Sequence, residues 1–123
     1  MSKNQQNLYV EFEVYGIVQG VFFRKNTVLR GRELGLRGWC MNTSEGTVRG
    51  AMEGQAGKVA EMKYWLQNVG SKMSRIDKAE FRNEKEINSF TFSDFSTSTS
   101  NDGHELEEEM KGADVNERKN NGS

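Results

Sequence analysis

Apolar and polar residues alternate strictly along residues 8–15 of this 123-residue chain. The apolar positions are Leu8, Val10, Phe12 and Val14, and the positions between them are Tyr9, Glu11, Glu13 and Tyr15. A period of two is typical of a β-strand that buries one face and exposes the other. The pattern predicts a first strand here, with Glu11 and Glu13 on its solvated face.

A helical period begins after residue 22. The residues that recur on one helical face are Phe23, Thr27, Gly31 and Leu34. Gly35 suits the position just after the helix, where left-handed backbone is common. A glycine inside a helix costs about 1 kcal/mol relative to alanine, so we expect Gly31 to let this helix lie close to the sheet. Val28 and Leu29 lie off the apolar face and are expected to be exposed.

The next segment predicts a hairpin and a second helix. Residues 36–43 and 47–53 form two strands, joined by a turn at residues 44–46 in which Gly46 supplies the positive φ. The apolar residues that then recur at helical spacing are Val59, Met62, Leu66 and Val69, with Trp65 beside them. Gly70 is the predicted stop signal of this second helix.

The last apolar residues of the folded part complete a β-α-β-β-α-β order. Ile76, Ala79 and Phe81 begin a further extended stretch, and we expect Phe90, Phe92 and Phe95 to close the core. This order predicts the α+β, ferredoxin-like sandwich, in which two helices cover one face of a mostly antiparallel sheet.

Charge divides the chain into a folded domain and a tail. Residues 97–123 contain seven acidic and three basic residues and few large apolar ones. Such a segment buries too little apolar area to offset its ordering entropy, so we expect a disordered acidic tail. Residues 1–7 are also polar and are expected to be flexible, which leaves residues 8–96 as the predicted domain.

Cysteine and histidine usage limits the chemistry. Cys40 is the single cysteine, which excludes an internal disulfide and fits a reducing compartment, and we expect it to be a buried strand residue. His104, the single histidine, lies in the tail, so a histidine-based triad or zinc site cannot be built inside the domain. The sequence shows no membrane-spanning run and no signal peptide, so we expect a cytoplasmic protein.

Two glycines bracket a short loop between the first strand and the first helix. The loop runs through Gly16, Ile17, Val18, Gln19, Gly20, Val21, Phe22 and Phe23 and ends at Arg24. Helix N-termini leave backbone N–H groups available for anions. An arginine at a helix start opposes the helix dipole unless an anion is near. An ordinary tight connection is the alternative, but Arg24 favours a phosphate-binding loop.

Asn42 is the second candidate, because it ends the second predicted strand just before the turn. Asparagine in this position commonly caps its own backbone. Its amide could instead hold a water molecule near the first loop, since the split β-α-β order allows these two segments to approach each other.

Two motifs together resemble the acylphosphatases, small enzymes that hydrolyse the carboxyl–phosphate bond of acyl phosphates. The first is G-x-V-Q-G-V-x-F-R at residues 16–24, and the second is G-W-x-x-N-x-x-x-G-T-V at residues 38–48. Similarity continues through residues 62–66 and 74–77 and covers about residues 8–96. The resemblance implies a five-stranded ferredoxin-like fold.

The resemblance also implies the roles of individual residues. Residues 16–23 would form the phosphate-binding loop, Arg24 would bind the phosphate, and Asn42 would orient the attacking water. Thr43 and Thr47 match threonines that support the site through hydrogen bonds. Ile17 departs from the family pattern, in which many members carry a charged or polar residue.

These expectations indicate which molecules the protein binds. We expect a monomer that needs no cofactor or metal, takes a small acyl phosphate as substrate, and releases inorganic phosphate, which would also inhibit it. Nucleic acid is not expected, because the expected exposed positions of the third strand lack the aromatic residues that stack on bases; these positions are Thr47, Arg49, Ala51 and Glu53. A non-catalytic or weakly catalytic module that binds phosphate or a partner is the remaining alternative.

Overall fold

The computed structural model describes residues 6–98. Its elements are β1 (Asn7–Ile17), α1 (Phe23–Glu33), β2 (Arg37–Asn42), β3 (Val48–Gln55), α2 (Ala56–Asn68), β4 (Arg75–Ile87) and β5 (Phe95–Thr97). The order confirms the predicted β-α-β-β-α-β arrangement with a short last strand.

The five strands form one sheet in the order β4-β1-β3-β2-β5. β1 pairs antiparallel with both β3 and β4, and β2 pairs antiparallel with β3. β5 pairs parallel with β2. The sheet is therefore mostly antiparallel, as predicted, and its fifth strand makes it mixed.

Both helices pack on one face of this sheet, where the predicted apolar positions of β1 are buried. The buried apolar cluster comprises Val10, Phe12, Val14, Val18, Phe23, Val28, Leu34, Leu36, Cys40, Val48, Met52, Val59, Met62, Leu66 and Phe95. Gly31 allows α1 to lie close to β5, because a Cβ atom at this position would lie 2.5 Å from Cδ2 of Phe95. The predicted use of this glycine is confirmed.

Two apolar residues on the helices differ from the prediction. Val28 is buried, with 9% of its surface exposed, whereas Leu29 is exposed as expected. α1 contacts β2, β5 and α2 at once, so its buried arc is wider than one helical face. Val69 is exposed rather than buried, because α2 ends at Asn68.

The connection between β4 and β5 covers part of the helix-free face of the sheet. The prediction that Phe90 closes the core is wrong, since this ring is exposed and lies 4.1 Å below the guanidinium carbon of Arg37. Glu53, expected on an exposed face, is completely buried. Its carboxylate accepts hydrogen bonds from the backbone N–H groups of Thr91 and Phe92 at 2.9–3.2 Å.

The ends of the described chain extend slightly past the predicted domain. Asn7 is the first residue of β1, and Thr97 is the last residue of β5. The rest of the expected flexible N-terminus, residues 1–5, and of the expected acidic tail, residues 99–123, lies outside the described residues. Within residues 6–98, neither helix is long and apolar enough to span a lipid bilayer.

Candidate phosphate-binding and hydrolytic site

Three chain segments meet at one edge of the sheet. Val48 pairs with Val14 on one side and with Asn42 on the other, so the end of β1, the start of β3 and the end of β2 are neighbours. The start of β4 adjoins this edge through the pair of Ile17 and Arg75. The loop of residues 18–22 leaves from the same edge and leads directly into α1.

The backbone of this loop contains two residues in the left-handed region. Gly20 and Phe22 have positive φ angles of 74° and 63°, and Phe22 directly precedes the helical residue Phe23. A left-handed residue next to a right-handed one turns successive N–H groups to the same side. Positive φ at Phe22 is rare for a bulky residue and indicates a conformation that the surrounding structure imposes.

Close packing also explains the glycine at position 16, near the end of β1 and just before this loop. A Cβ atom at Gly16 would lie 2.1 Å from the carbonyl oxygen of Arg75, so any other residue would push β1 and β4 apart. Val18 and Phe23 direct their side chains into the core. Ile17, the last residue of β1, is exposed beside the loop, with 48% of its surface accessible.

Arg24 is the second residue of α1 and is almost completely buried, with 1% of its surface exposed. Arginine stays charged at every physiological pH, and its planar group donates to two oxygens at once. A buried cation requires compensating interactions. The start of α1 therefore combines a buried positive charge with the helix end that favours anions.

Asn42 ends β2 and is also buried, with 3% of its surface exposed. Buried and half-buried residues alternate along β2, which places Cys40 and Asn42 on the face that the helices cover. The thiol of Cys40 lies 3.9 Å from the carbonyl oxygen of Arg24. Asn42 is the next residue along that face, so its amide lies at the side of the sheet where α1 begins.

The side chain of Gln19 ties the loop to the turn that follows Asn42. Its Nε2 atom donates hydrogen bonds to the carbonyl oxygens of Thr43, at 2.8 Å, and Thr47, at 3.0 Å. The turn is itself closed by the backbone N–H group of Thr43, which donates to the Thr47 carbonyl at 2.9 Å. Loop and turn are thus held as one unit.

Thr43 and Thr47 also contact each other through their side chains. Their hydroxyl oxygens are 2.6 Å apart, and the backbone N–H group of Thr47 donates to the Thr43 hydroxyl at 3.1 Å. The Thr47 hydroxyl in turn donates to Oε2 of Glu13 at 2.7 Å. The structure therefore brings both predicted supporting residues into one hydrogen-bonded cluster.

The sequence did not identify Gln19 as a side-chain contact or Glu13 as part of this cluster. Glu13 occupies a regular outward position of an alternating strand, and no local pattern distinguishes it from Glu11. Only 12% of its side chain is exposed, because β4 and the turn cover it. Within residues 6–98, no group of histidine, cysteine and acidic side chains has the arrangement of metal ligands.

Comparison with known proteins assigns the family. Residues 10–97 match the family model described as Acylphosphatase. Acylphosphatase-1 of Homo sapiens is 48% identical over 95 residues, which cover 77% of this chain and 96% of the human protein. Acylphosphatase-2 of Gallus gallus is 54% identical over 88 residues, which cover 72% of this chain and 85% of that protein.

A solved structure agrees with these sequence relationships. An acylphosphatase from Coxiella burnetii superposes with a TM-score of 0.66 at 30% identity and covers 76% of this chain and 94% of its own. Sequence and fold lead to the same conclusion. The chain belongs to the acylphosphatase family, whose members hydrolyse acyl phosphates.

Proposed function

We propose that the edge formed by the 16–24 loop and Asn42 is the active site for hydrolysis of the carboxyl–phosphate bond of an acyl phosphate. The observation that carries this proposal is that Asn42 shares the helix-covered face of β2 with Cys40, whose thiol lies 3.9 Å from the backbone carbonyl oxygen of Arg24. The backbone at the start of α1 therefore lies next to the strand that carries Asn42, and the side chains of Arg24 and Asn42 are both buried, which supports the proposal.

The loop and Arg24 bind the transferred phosphate. Backbone N–H groups of this loop, the proposed phosphate cradle, and the guanidinium group all donate, which suits the oxygens of a phosphate dianion. The ladder between β1 and β3 and the Gln19 contacts hold the loop in place before the substrate arrives. Donors fixed in advance stabilise the charge that develops in the transition state without reorganising during the reaction.

Asn42 holds the attacking water. An amide carries both a donor and an acceptor, so it can fix the position and the orientation of one water molecule. It is too weak a base to remove the water proton, and a phosphate oxygen of the substrate accepts that proton instead. Because a carboxylate is a good leaving group, positioning and charge stabilisation are sufficient, and the reaction uses neither a metal ion nor a covalent intermediate.

The proposal also covers product inhibition, the oligomeric state and the cellular compartment. Inorganic phosphate, the product, binds in the same cradle and inhibits competitively. The enzyme acts as a monomer in the cytoplasm, and the buried thiol of Cys40, the single cysteine of the sequence, is consistent with a reducing compartment.

Hydrolysis of benzoyl phosphate by the purified full-length chain tests this function. We expect turnover that is equal with and without EDTA and is competitively inhibited by inorganic phosphate. Loss of turnover in EDTA would contradict the metal-independent reaction, and absence of phosphate inhibition would contradict the placement of the cradle.

A further inference from the structure

A chain of hydrogen bonds leads from the helix-free face of the sheet to the turn that follows Asn42. Nη2 of Arg82, on β4, donates to Oε1 of Glu13 at 3.1 Å. Oε2 of the same carboxylate accepts from the Thr47 hydroxyl at 2.7 Å, and that hydroxyl lies 2.6 Å from the Thr43 hydroxyl. Glu13 thus links β4 to the turn between β2 and β3.

The Glu13 carboxylate determines which atom donates in each hydrogen bond that the Thr47 and Thr43 hydroxyls form with each other and with Glu13. An ionised carboxylate can only accept, and a hydroxyl has one proton to give. Since Thr47 donates its proton to Glu13, the short contact between the two threonines requires Thr43 to donate and Thr47 to accept. The Thr43 oxygen then accepts the backbone N–H group of Thr47, at 3.1 Å.

We propose that Glu13 is a positioning residue for the hydrolysis: by fixing the direction of these hydrogen bonds it holds the turn, and with it Asn42, in the orientation that places the attacking water. This inference rests on the function proposed above. Glu13 does not touch the substrate and acts through Thr47.

The surroundings of Glu13 keep it ionised near neutral pH. Burial alone would raise the pKa of this carboxyl group, but the hydrogen bonds from Thr47 and Arg82 and the charge of Arg82 outweigh burial and lower the pKa. The other charged groups that face Glu13 are Arg49 on β3, Glu80 on β4 and Glu11 on β1. Protonation of Glu13 at low pH would let the carboxyl group donate as well as accept, so the Thr47 hydroxyl would no longer have to donate to it.

Glu13→Gln tests the proposal, because the amide keeps the size of the side chain and can donate as well as accept. We expect kcat for benzoyl phosphate to fall about ten-fold, the order of effect that slight misplacement of a reacting group produces. The inhibition constant of inorganic phosphate should stay unchanged. Glu11→Gln is the matched control, since Glu11 is a carboxylate of the same strand face that contacts Tyr9 and Asn83 and not the turn.

A double-mutant cycle shows whether Glu13 acts through Thr47. We expect Glu13→Gln to cause no further loss of kcat when Thr47 is already valine, because residues of one hydrogen-bonded chain are not additive. Equal kcat values for Glu13→Gln and Glu11→Gln would overturn the proposal, and so would a full, multiplicative loss in the Thr47→Val background.

Arg82→Gln provides a second test at an exposed residue, should Glu13→Gln fail to fold. Removal of the Arg82 charge raises the pKa of Glu13, so the acid limb of the kcat profile should move to higher pH. An unmoved acid limb would contradict the proposal. Wild-type protein without turnover would overturn the proposed function, and with it this inference. Wild-type turnover with an inactive Asn42→Ala variant and a fully active Glu13→Gln variant would overturn this inference alone.

Discussion

The Nε2 atom of Gln19 donates a hydrogen bond of 2.8 Å to the carbonyl oxygen of Thr43. The first residue belongs to the proposed phosphate cradle, and the second directly follows the proposed water-binding Asn42. Because the same nitrogen also donates to the Thr47 carbonyl, one amide group links the two halves of the proposed site.

Gln19→Ala should therefore loosen the link between the loop and the turn without removing Arg24 or Asn42. We expect a several-fold loss in kcat/KM for benzoyl phosphate and a loss of about 1–2 kcal/mol in the free energy of unfolding, because two carbonyl contacts disappear. Steady-state kinetics and urea unfolding measure the two effects. Gln67→Ala, on the exposed surface of α2, is the control. Kinetics equal to this control would show that the Gln19 contacts do not couple loop and turn.

Arg24→Ala should abolish turnover and phosphate affinity together, because the guanidinium group binds the phosphate in the ground state and in the transition state. We expect kcat/KM to fall by about a thousand-fold or more, as arginines that stabilise a transferred phosphoryl group are worth this much. Arg49→Ala removes an exposed arginine of β3 and serves as the control. An Arg24→Ala variant that folds and retains the inhibition constant of inorganic phosphate would contradict the assignment.

Glu53 should contribute to stability and not to catalysis. Its buried carboxylate accepts the N–H groups of Thr91 and Phe92, and its removal leaves these donors without an acceptor. We expect Glu53→Ala to lower the free energy of unfolding by about 2–3 kcal/mol. Glu86→Ala, at an exposed position of β4, should change it by less than about 0.5 kcal/mol. Equal urea midpoints for the two variants would show that Glu53 does not anchor this connection.

The carboxylates around Arg82 should make stability depend on pH in the acid range. Hydrogen bonds, first from Arg82 and then from Lys78 and Tyr15, lower the pKa of Glu80 to about 2, and the pKa of Glu13 is lowered as well. A carboxyl group whose pKa is lower in the folded than in the unfolded state stabilises the fold above its unfolded pKa, near 4.3 for glutamate. This stabilisation is lost as the pH falls toward about 2.

Arg82→Gln should accordingly lower stability at neutral pH and flatten its decline between about pH 4.3 and about pH 2. Urea unfolding at a series of pH values measures this slope. A variant whose decline is as steep as that of the wild type would show that Arg82 does not set these pKa values.

The periodicity of the sequence predicted the elements that depend on local pattern. Residues 8–15 alternate because β1 buries one face under the helices, and that burial is what the structure shows. The wrong predictions concern residues whose environment comes from distant segments. Val28 is buried because α1 contacts two strands and α2 at once, and Glu53 is buried because residues 91–92 cover it.

The site was predictable to the same extent. The motifs indicated the loop, Arg24 and Asn42. In the structure, the strand that leads into the loop and the strand that ends at Asn42 both pair with β3 at Val48. Glu13 and Gln19 were beyond prediction as side-chain contacts, because each binds a turn that lies 24 or more positions away in sequence. A glutamate in an alternating strand looks the same from sequence whether water or a threonine hydroxyl covers it.

Kinetics of the Asn42→Ala variant test the central claim most directly. If the amide positions the water while the loop and Arg24 bind the phosphate, kcat for benzoyl phosphate should fall by about 100-fold or more. The inhibition constant of inorganic phosphate should remain that of the wild type. An Asn42→Ala protein that hydrolyses benzoyl phosphate at the wild-type rate would contradict the account.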